Sequence, residues 1–96
     1  MEVSFSDSFR KAFKKRIKST EIETEFWIRL ELFIHDPFET KLKTHKLSGK
    51  LKDLWSFSID YDLRAVFYFT KDKPEKVVFV DIELMTKYIN NVDFQK

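Results

Sequence analysis

The run from Leu63 to Phe69, LRAVFYF, is apolar on both of its alternating faces apart from Arg64. A strand of that kind needs cover on both sides, so it belongs in the middle of a sheet. Just before it, Trp55, Phe57, Ile59 and Tyr61 alternate with Ser56, Ser58, Asp60 and Asp62, the period of two of a strand with one buried face. Val77 to Ile82 is a further buried run, reached through a turn at Lys71 to Glu75 that contains Pro74. The second half of the chain therefore reads as a three-stranded antiparallel meander.

The first half reads as helical. Glu2 to Phe5 alternates in polarity and suits a short first strand, and Ser6 or Asp7 can cap the helix after it. Phe5, Phe9, Phe13 and Ile17 fall four apart with Ala12 beside them, while Arg10, Lys11, Lys14, Lys15, Arg16 and Lys18 occupy the other face. Thr20 and Glu23 predict a capping box for a second helix, the hydroxyl accepting the Glu23 amide and the carboxylate reaching back to the Thr20 amide. Ile22, Phe26, Leu30 and Phe33 form its stripe; Trp27, Ile28, Leu32 and Ile34 widen it enough to predict packing on two sides. Pro37 ends this helix near His35, whose charge suits the helix C-terminus. The order predicts an α+β protein, one domain over residues 1–96: an N-terminal strand and a two-helix hairpin packed on an antiparallel sheet of about four strands.

A chain of 96 residues buries only about two thirds of its unfolded surface, so its core must be dense. Eleven phenylalanines, two tryptophans and three tyrosines supply the area. The lack of cysteine excludes a disulfide framework and thiolate metal sites. With only His35 and His45 as further nitrogen ligands, no metal and no cofactor are expected. No secretory leader and no long apolar run stand in the sequence, which predicts a soluble cytoplasmic protein without a membrane partner.

Net charge is only +2, so the placement of charge carries the argument. Arg10 to Lys18 holds six basic residues and no acid, and Lys41 to Lys52 holds five lysines and no acid. The first cluster is either a solvated helix face or a surface that tracks phosphates. The second lies in a predicted loop from Asp36 to Lys52, whose glycine, Gly49, points to a positive φ or a close backbone approach. Lys46, Lys50 and Lys52, with His45 beside them, converge on the foot of a hairpin that opens on Arg64, a site suited to an anion.

The text DPFETKLKTHKLSGKLKDLWSFSIDYDLRAVF resembles the central segment of the RelE/ParE superfamily of bacterial toxins, in particular its RelE/YafQ-like branch of mRNA interferases. The resemblance runs from about Val3 to Ile82. It implies a toxin of a type II toxin-antitoxin module that cleaves mRNA on the ribosome without a metal. Its partners would be a cognate antitoxin, the ribosome and mRNA, with operator DNA engaged only through the antitoxin. In that chemistry an RNA 2′-hydroxyl attacks its own 3′-phosphate, which calls for a base, cations around the phosphorus and an acid at the leaving oxygen. The resemblance gives Arg64 the phosphate contact and His45 and Asp62 places in the catalytic set, and Tyr88 is a further catalytic candidate because other RelE-like enzymes work with tyrosine. Lys43, Lys46, Lys50 and Lys52 become candidate RNA contacts.

The tail departs from the pattern. Active members of the branch close with a glycine, a threonine and a histidine, whereas this chain reads IELMTKYI, with Met85 where the histidine would fall. Methionine cannot exchange a proton, so part of the usual acid-base set is missing. Ser58 likewise stands where related members can carry a histidine. Two alternatives therefore stay open: a weakened or inactive homologue that serves as an antitoxin-binding module, and a ParE-like gyrase inhibitor. Each site residue also has a plain structural reading. Arg64 can pair with Asp60 or Asp62, His45 can be a surface residue, Asp62 can form a turn, and Tyr88 can simply pack.

Overall fold

The computed structural model describes residues 1–48, 53–72 and 75–84. Its elements run β1 (Glu2–Phe5), α1 (Asp7–Arg16), α2 (Glu21–His35), a 3-10 helix (Thr40–Leu42), β2 (His45–Lys46), β3 (Trp55–Ser58), β4 (Leu63–Phe69) and β5 (Lys76–Leu84). One sheet has the order β1-β5-β4-β3-β2, so β4 is central, as its two-faced apolar run requires. The architecture is α+β, two helices on a mixed sheet. The sheet has one more strand than the expected four, because two residues, His45 and Lys46, pair with β3. Nor is it wholly antiparallel: β1 runs parallel to β5, from Glu2 opposite Lys76 to Phe5 opposite Phe79.

Both helix starts follow from their caps. Ser6 accepts the Phe9 amide at 3.1 Å and opens α1. Thr20 opens α2, but the box is displaced from the expected pairing: its hydroxyl accepts the Ile22 amide at 3.2 Å, and Glu23 reaches the amide of Ser19 at 2.9 Å. Ser19 has φ 64°, which brings its N–H within reach of that carboxylate. The helix ends at His35 as Pro37 dictates, and His35 pairs with Glu31 one turn back, both well exposed.

Helix α2 buries one side rather than two. Phe26, Leu30 and Phe33 are buried, whereas Trp27 is 46% and Ile28 57% exposed. Tyr61 likewise falls outside the strand its spacing predicted, since β3 stops at Ser58 and Tyr61 is almost fully exposed. Phe33 sits at the centre of the core. Its ring lies 4.8 Å from Phe67, 5.2 Å from Phe57 and 5.7 Å from Phe79, so helix and sheet meet through aromatic edges and faces.

The sheet face away from the helices carries a smaller cluster, Leu47 and Val66 with Leu54 and Val80 against them. A bulge in β5 serves it: Val66 pairs with Asp81 and Phe67 with Phe79, so Val80 is left over between them. Ser8 on α1 donates to the Val80 carbonyl at 2.6 Å and pins the bulge. Among the described residues no helix is long and apolar enough to cross a membrane.

Candidate functional site

Alternation along the strands decides which residues can meet. On β4, Leu63, Ala65 and Phe67 join the main core, so Arg64 and Val66 point to the other face. On β3, Phe57 joins the core and Ser56 faces Arg64's side; on β2, His45 pairs with Ser56. Arg64, Ser56 and His45 thereby converge on the face opposite the helices. The predicted loop from Asp36 to Lys52 is not an unbroken loop, since a 3-10 helix and β2 interrupt it and deliver Lys43 to the same place.

Arg64 is 2% exposed. Its Nε donates to Ser56 Oγ at 2.8 Å, and its Nη2 donates to the Lys43 carbonyl at 2.7 Å and lies 3.4 Å from the Ser56 carbonyl. The same Nη2 is 3.2 Å from His45 Nδ1. Each of these acceptors is uncharged. The alternative reading of Arg64, a surface pair with Asp60 or Asp62, does not form, because Asp60 Oδ1 instead accepts the amides of Asp62 and Leu63 at 3.0 and 2.9 Å. Asp60, rather than Asp62, is thus the turn former. Among the described residues the ion pairs are Glu25–Arg29, Glu31–His35 and Glu2–Lys76, and none includes Arg64; Glu83 is its neighbour across to β5. Burial pushes the Arg64 pKa down to about 10, which leaves the guanidinium charged at neutral pH but at a cost in desolvation.

The Lys43 carbonyl is the hub. Lys43 has φ 51° and ψ 42°, a left-handed conformation uncommon outside glycine, asparagine and aspartate. The surroundings hold it there. Leu42 is fully buried, Arg29 Nη1 donates to the carbonyls of Lys41 at 3.1 Å and Ser58 at 2.9 Å, and Thr44 Oγ1 donates to Pro37 O at 2.6 Å. The turned carbonyl then receives Arg64 and lies 3.0 Å from His45 Nδ1.

His45 Nδ1 has two neighbours of opposite demand. The Arg64 N–H can only donate and the Lys43 carbonyl can only accept, so Nδ1 serves one at a time. With a proton on Nδ1, the ring donates to Lys43 and a neutral imidazole keeps its lone pair on Nε2. Without one, Nδ1 accepts from Arg64 and Nε2 carries the hydrogen. The exposed ring can therefore present at Nε2 either a lone pair, and so a base, or a hydrogen-bond donor, with Arg64 beside it.

The other predicted site residues distribute unevenly. Asp62 is exposed at the turn two residues before Arg64. Lys43 contributes its carbonyl, while its side chain is exposed. Lys46 pairs with Trp55 on the side opposite His45, where with Trp55, Tyr68, Phe69 and Lys71 it lines a separate hollow of about 410 Å3. Gly49, Lys50, Lys52, Met85 and Tyr88 lie outside the described residues. The sequence pattern marks Ser56 only as the polar face of a strand and gives Arg29 no role. An arginine inside an apolar strand was the signal that a buried acceptor must exist nearby.

No family model matches the sequence, and no curated protein matches it either. Solved structures do match. The YoeB/ParE toxin from Agrobacterium tumefaciens superposes with a TM-score of 0.69 at 15% identity, covering 88% of this chain and 98% of that one. The chain has the RelE/ParE toxin fold. A metal-bound toxin from Helicobacter pylori gives 0.68 at 23% identity, covering 91% and 97%. YafQ in its E. coli complex with DinJ, a toxin-antitoxin complex, gives 0.70 at 16% identity, covering 90% and 93%. This RelE/ParE-type fold thus accounts for nearly the full length of its neighbours.

Proposed function

We propose that the protein is the toxin of a type II toxin-antitoxin module, a cytoplasmic endoribonuclease that cuts mRNA on the ribosome and is neutralised by a cognate antitoxin. Residues 1–96 act as one domain. The observation that carries this reading is Arg64, a buried cation whose described hydrogen-bond acceptors are all uncharged, set beside an exposed imidazole. Buried arginines in purely structural roles are normally paired with an acid. A charge held by neutral acceptors has its attraction in reserve for an anionic ligand, and a phosphodiester is the anion that the chain's resemblance to the RelE/YafQ-like mRNA interferases implies.

In this mechanism His45 Nε2 takes the proton of an RNA 2′-hydroxyl while Nδ1–H is held by the Lys43 carbonyl. The 2′-oxygen attacks the adjacent phosphorus, the bond to the 5′-oxygen breaks, and a 2′,3′-cyclic phosphate remains. Arg64 binds the non-bridging oxygens as their charge grows. The leaving 5′-oxygen takes a proton from Tyr88 or from solvent. Asp62 steadies the charged imidazole, and the lysines 43, 46, 50 and 52 contact RNA. Operator DNA is reached only through the antitoxin.

Expression in a bacterial host tests the reading. Growth arrest with cleaved transcripts, lost on His45→Gln and Arg64→Lys, is the expected result. Unimpaired growth with intact transcripts overturns it in favour of the inactive binding module, and blocked DNA supercoiling with intact mRNA selects the gyrase inhibitor.

A further inference from the structure

Helix α2 turns a second face outward, away from the buried Phe26, Leu30 and Phe33. Glu25, Ile28, Leu32 and His35 follow one another at alternating intervals of three and four residues, which gathers them within about 80° of the helix circumference. Ile28 is 57% exposed and Leu32 half-buried. Bordered by Arg29 and by Lys41 of the 3-10 helix, this seam lines a hollow of about 410 Å3. Its two ends differ in chemistry. Glu25 puts a carboxylate at the N-terminal end, where it accepts from Arg29 at 2.7 Å, and His35 puts an imidazole at the C-terminal end, 3.2 Å from Glu31. The His35–Glu31 pair is well exposed, and pairs of that kind hold their side chains weakly.

We infer that this face joins two copies of the chain, α2 packed antiparallel against α2 about a two-fold axis. The occupant follows from the order of the side chains. A helix that complements an acid, two aliphatic residues and a base must carry the same series when it runs the opposite way, and the chain's own α2 does. In that register Ile28 of one copy meets Leu32 of the other, and the two-fold axis repeats the contact. The same register sets Glu25 against His35 at both ends of the seam, roughly 15 Å apart along the axis, so each imidazole meets a carboxylate. A parallel pairing would set Glu25 against Glu25 and is disfavoured by charge. Arg64 and His45 belong to the sheet face away from the helices, so both copies keep that site uncovered, and the inference stands independently of the toxin reading.

Sedimentation velocity of the full chain over a concentration series tests it. The expected result is a monomer that passes to a dimer as concentration rises, with the dimer weakened by added salt and by at least about tenfold in Ile28→Glu, an exposed position where the fold tolerates the change. Glu25→Lys should weaken the dimer as well, and adding His35→Glu to it should restore the affinity by exchanging the charges of the pair. Direction and register are read by cross-linking, which the absence of native cysteine makes clean. Glu25→Cys and His35→Cys chains mixed under mild oxidation should join to each other faster than either joins to itself, because the antiparallel register puts positions 25 and 35 together. A chain that stays monomeric at every concentration, a dimer indifferent to Ile28→Glu, or self-joining that outpaces the mixed product overturns the inference.

Discussion

Replacing Ser56 by alanine deletes one oxygen, the acceptor of the Arg64 Nε–H bond at 2.8 Å. Ser56 is fully buried and Arg64 only 2% exposed, so water has little room to take its place. A buried donor left without its acceptor costs about 1–3 kcal/mol, toward the upper end for a charged group. In a domain of this size each kcal/mol moves Tm by about 4–8 °C, so the variant should melt roughly 5–20 °C lower. Urea unfolding of a double-mutant cycle isolates the cause. In an Arg64→Met background the guanidinium is gone, and Ser56→Ala should then cost less than about 0.5 kcal/mol. Equal losses in both backgrounds would mean that Ser56 supports packing rather than Arg64, and the account of the buried cation would fail.

Other expectations follow from the same contacts. Lys43→Gly should hold or raise stability by up to about 1 kcal/mol, because the left-handed backbone no longer strains a Cβ, whereas the β-branched Lys43→Val should lose about 1 kcal/mol or more; equilibrium unfolding of the pair checks this. Phe33→Ala removes the ring at the meeting point of Phe57, Phe67 and Phe79 and should cost about 3–5 kcal/mol, read as a large fall in the urea midpoint. Bonds from the Ser19 amide and Trp27 hold the Glu23 carboxyl below its usual pKa. Folding thus favours the ionised form, so its contribution is present above the ordinary carboxylate pKa and lost as pH falls through the folded value. Glu23→Gln should flatten that acid limb in a pH series of melts. Lys76 is raised by its bond to Glu2, so its share is present below the ordinary lysine pKa and lost as pH rises through the folded value; Glu2→Gln should flatten the alkaline limb.

What could be read from the chain beforehand follows the range of the forces involved. The central place of β4, the caps at Ser6 and Thr20 and the stop at His35 rest on local spacing, and they appear where the sequence put them. The parallel pairing of β1 with β5 joins residues more than seventy positions apart in the chain, and strand alternation does not encode a partner's direction. β2 is two residues long, too short for any period to show. Ser56 looked solvent-facing because it alternates with Trp55 and Phe57, yet Leu47, Leu54, Val66 and Val80 cover that face and bury it. Lys43 carried a charge that drew attention to its side chain. Its part in the site comes instead from a carbonyl turned by a left-handed φ, which depends on Leu42, Arg29 and Thr44 being anchored elsewhere.

The central claim is that Arg64 and His45 form a phosphodiester-cleaving pair. Primer extension on mRNA in a reconstituted translation reaction tests it most directly. The account predicts new 5′ ends on ribosome-bound mRNA with the unmodified chain, and none with His45→Gln, whose exposed side chain leaves the fold undisturbed. Intact mRNA with the unmodified chain, or cleavage that survives His45→Gln, would contradict it.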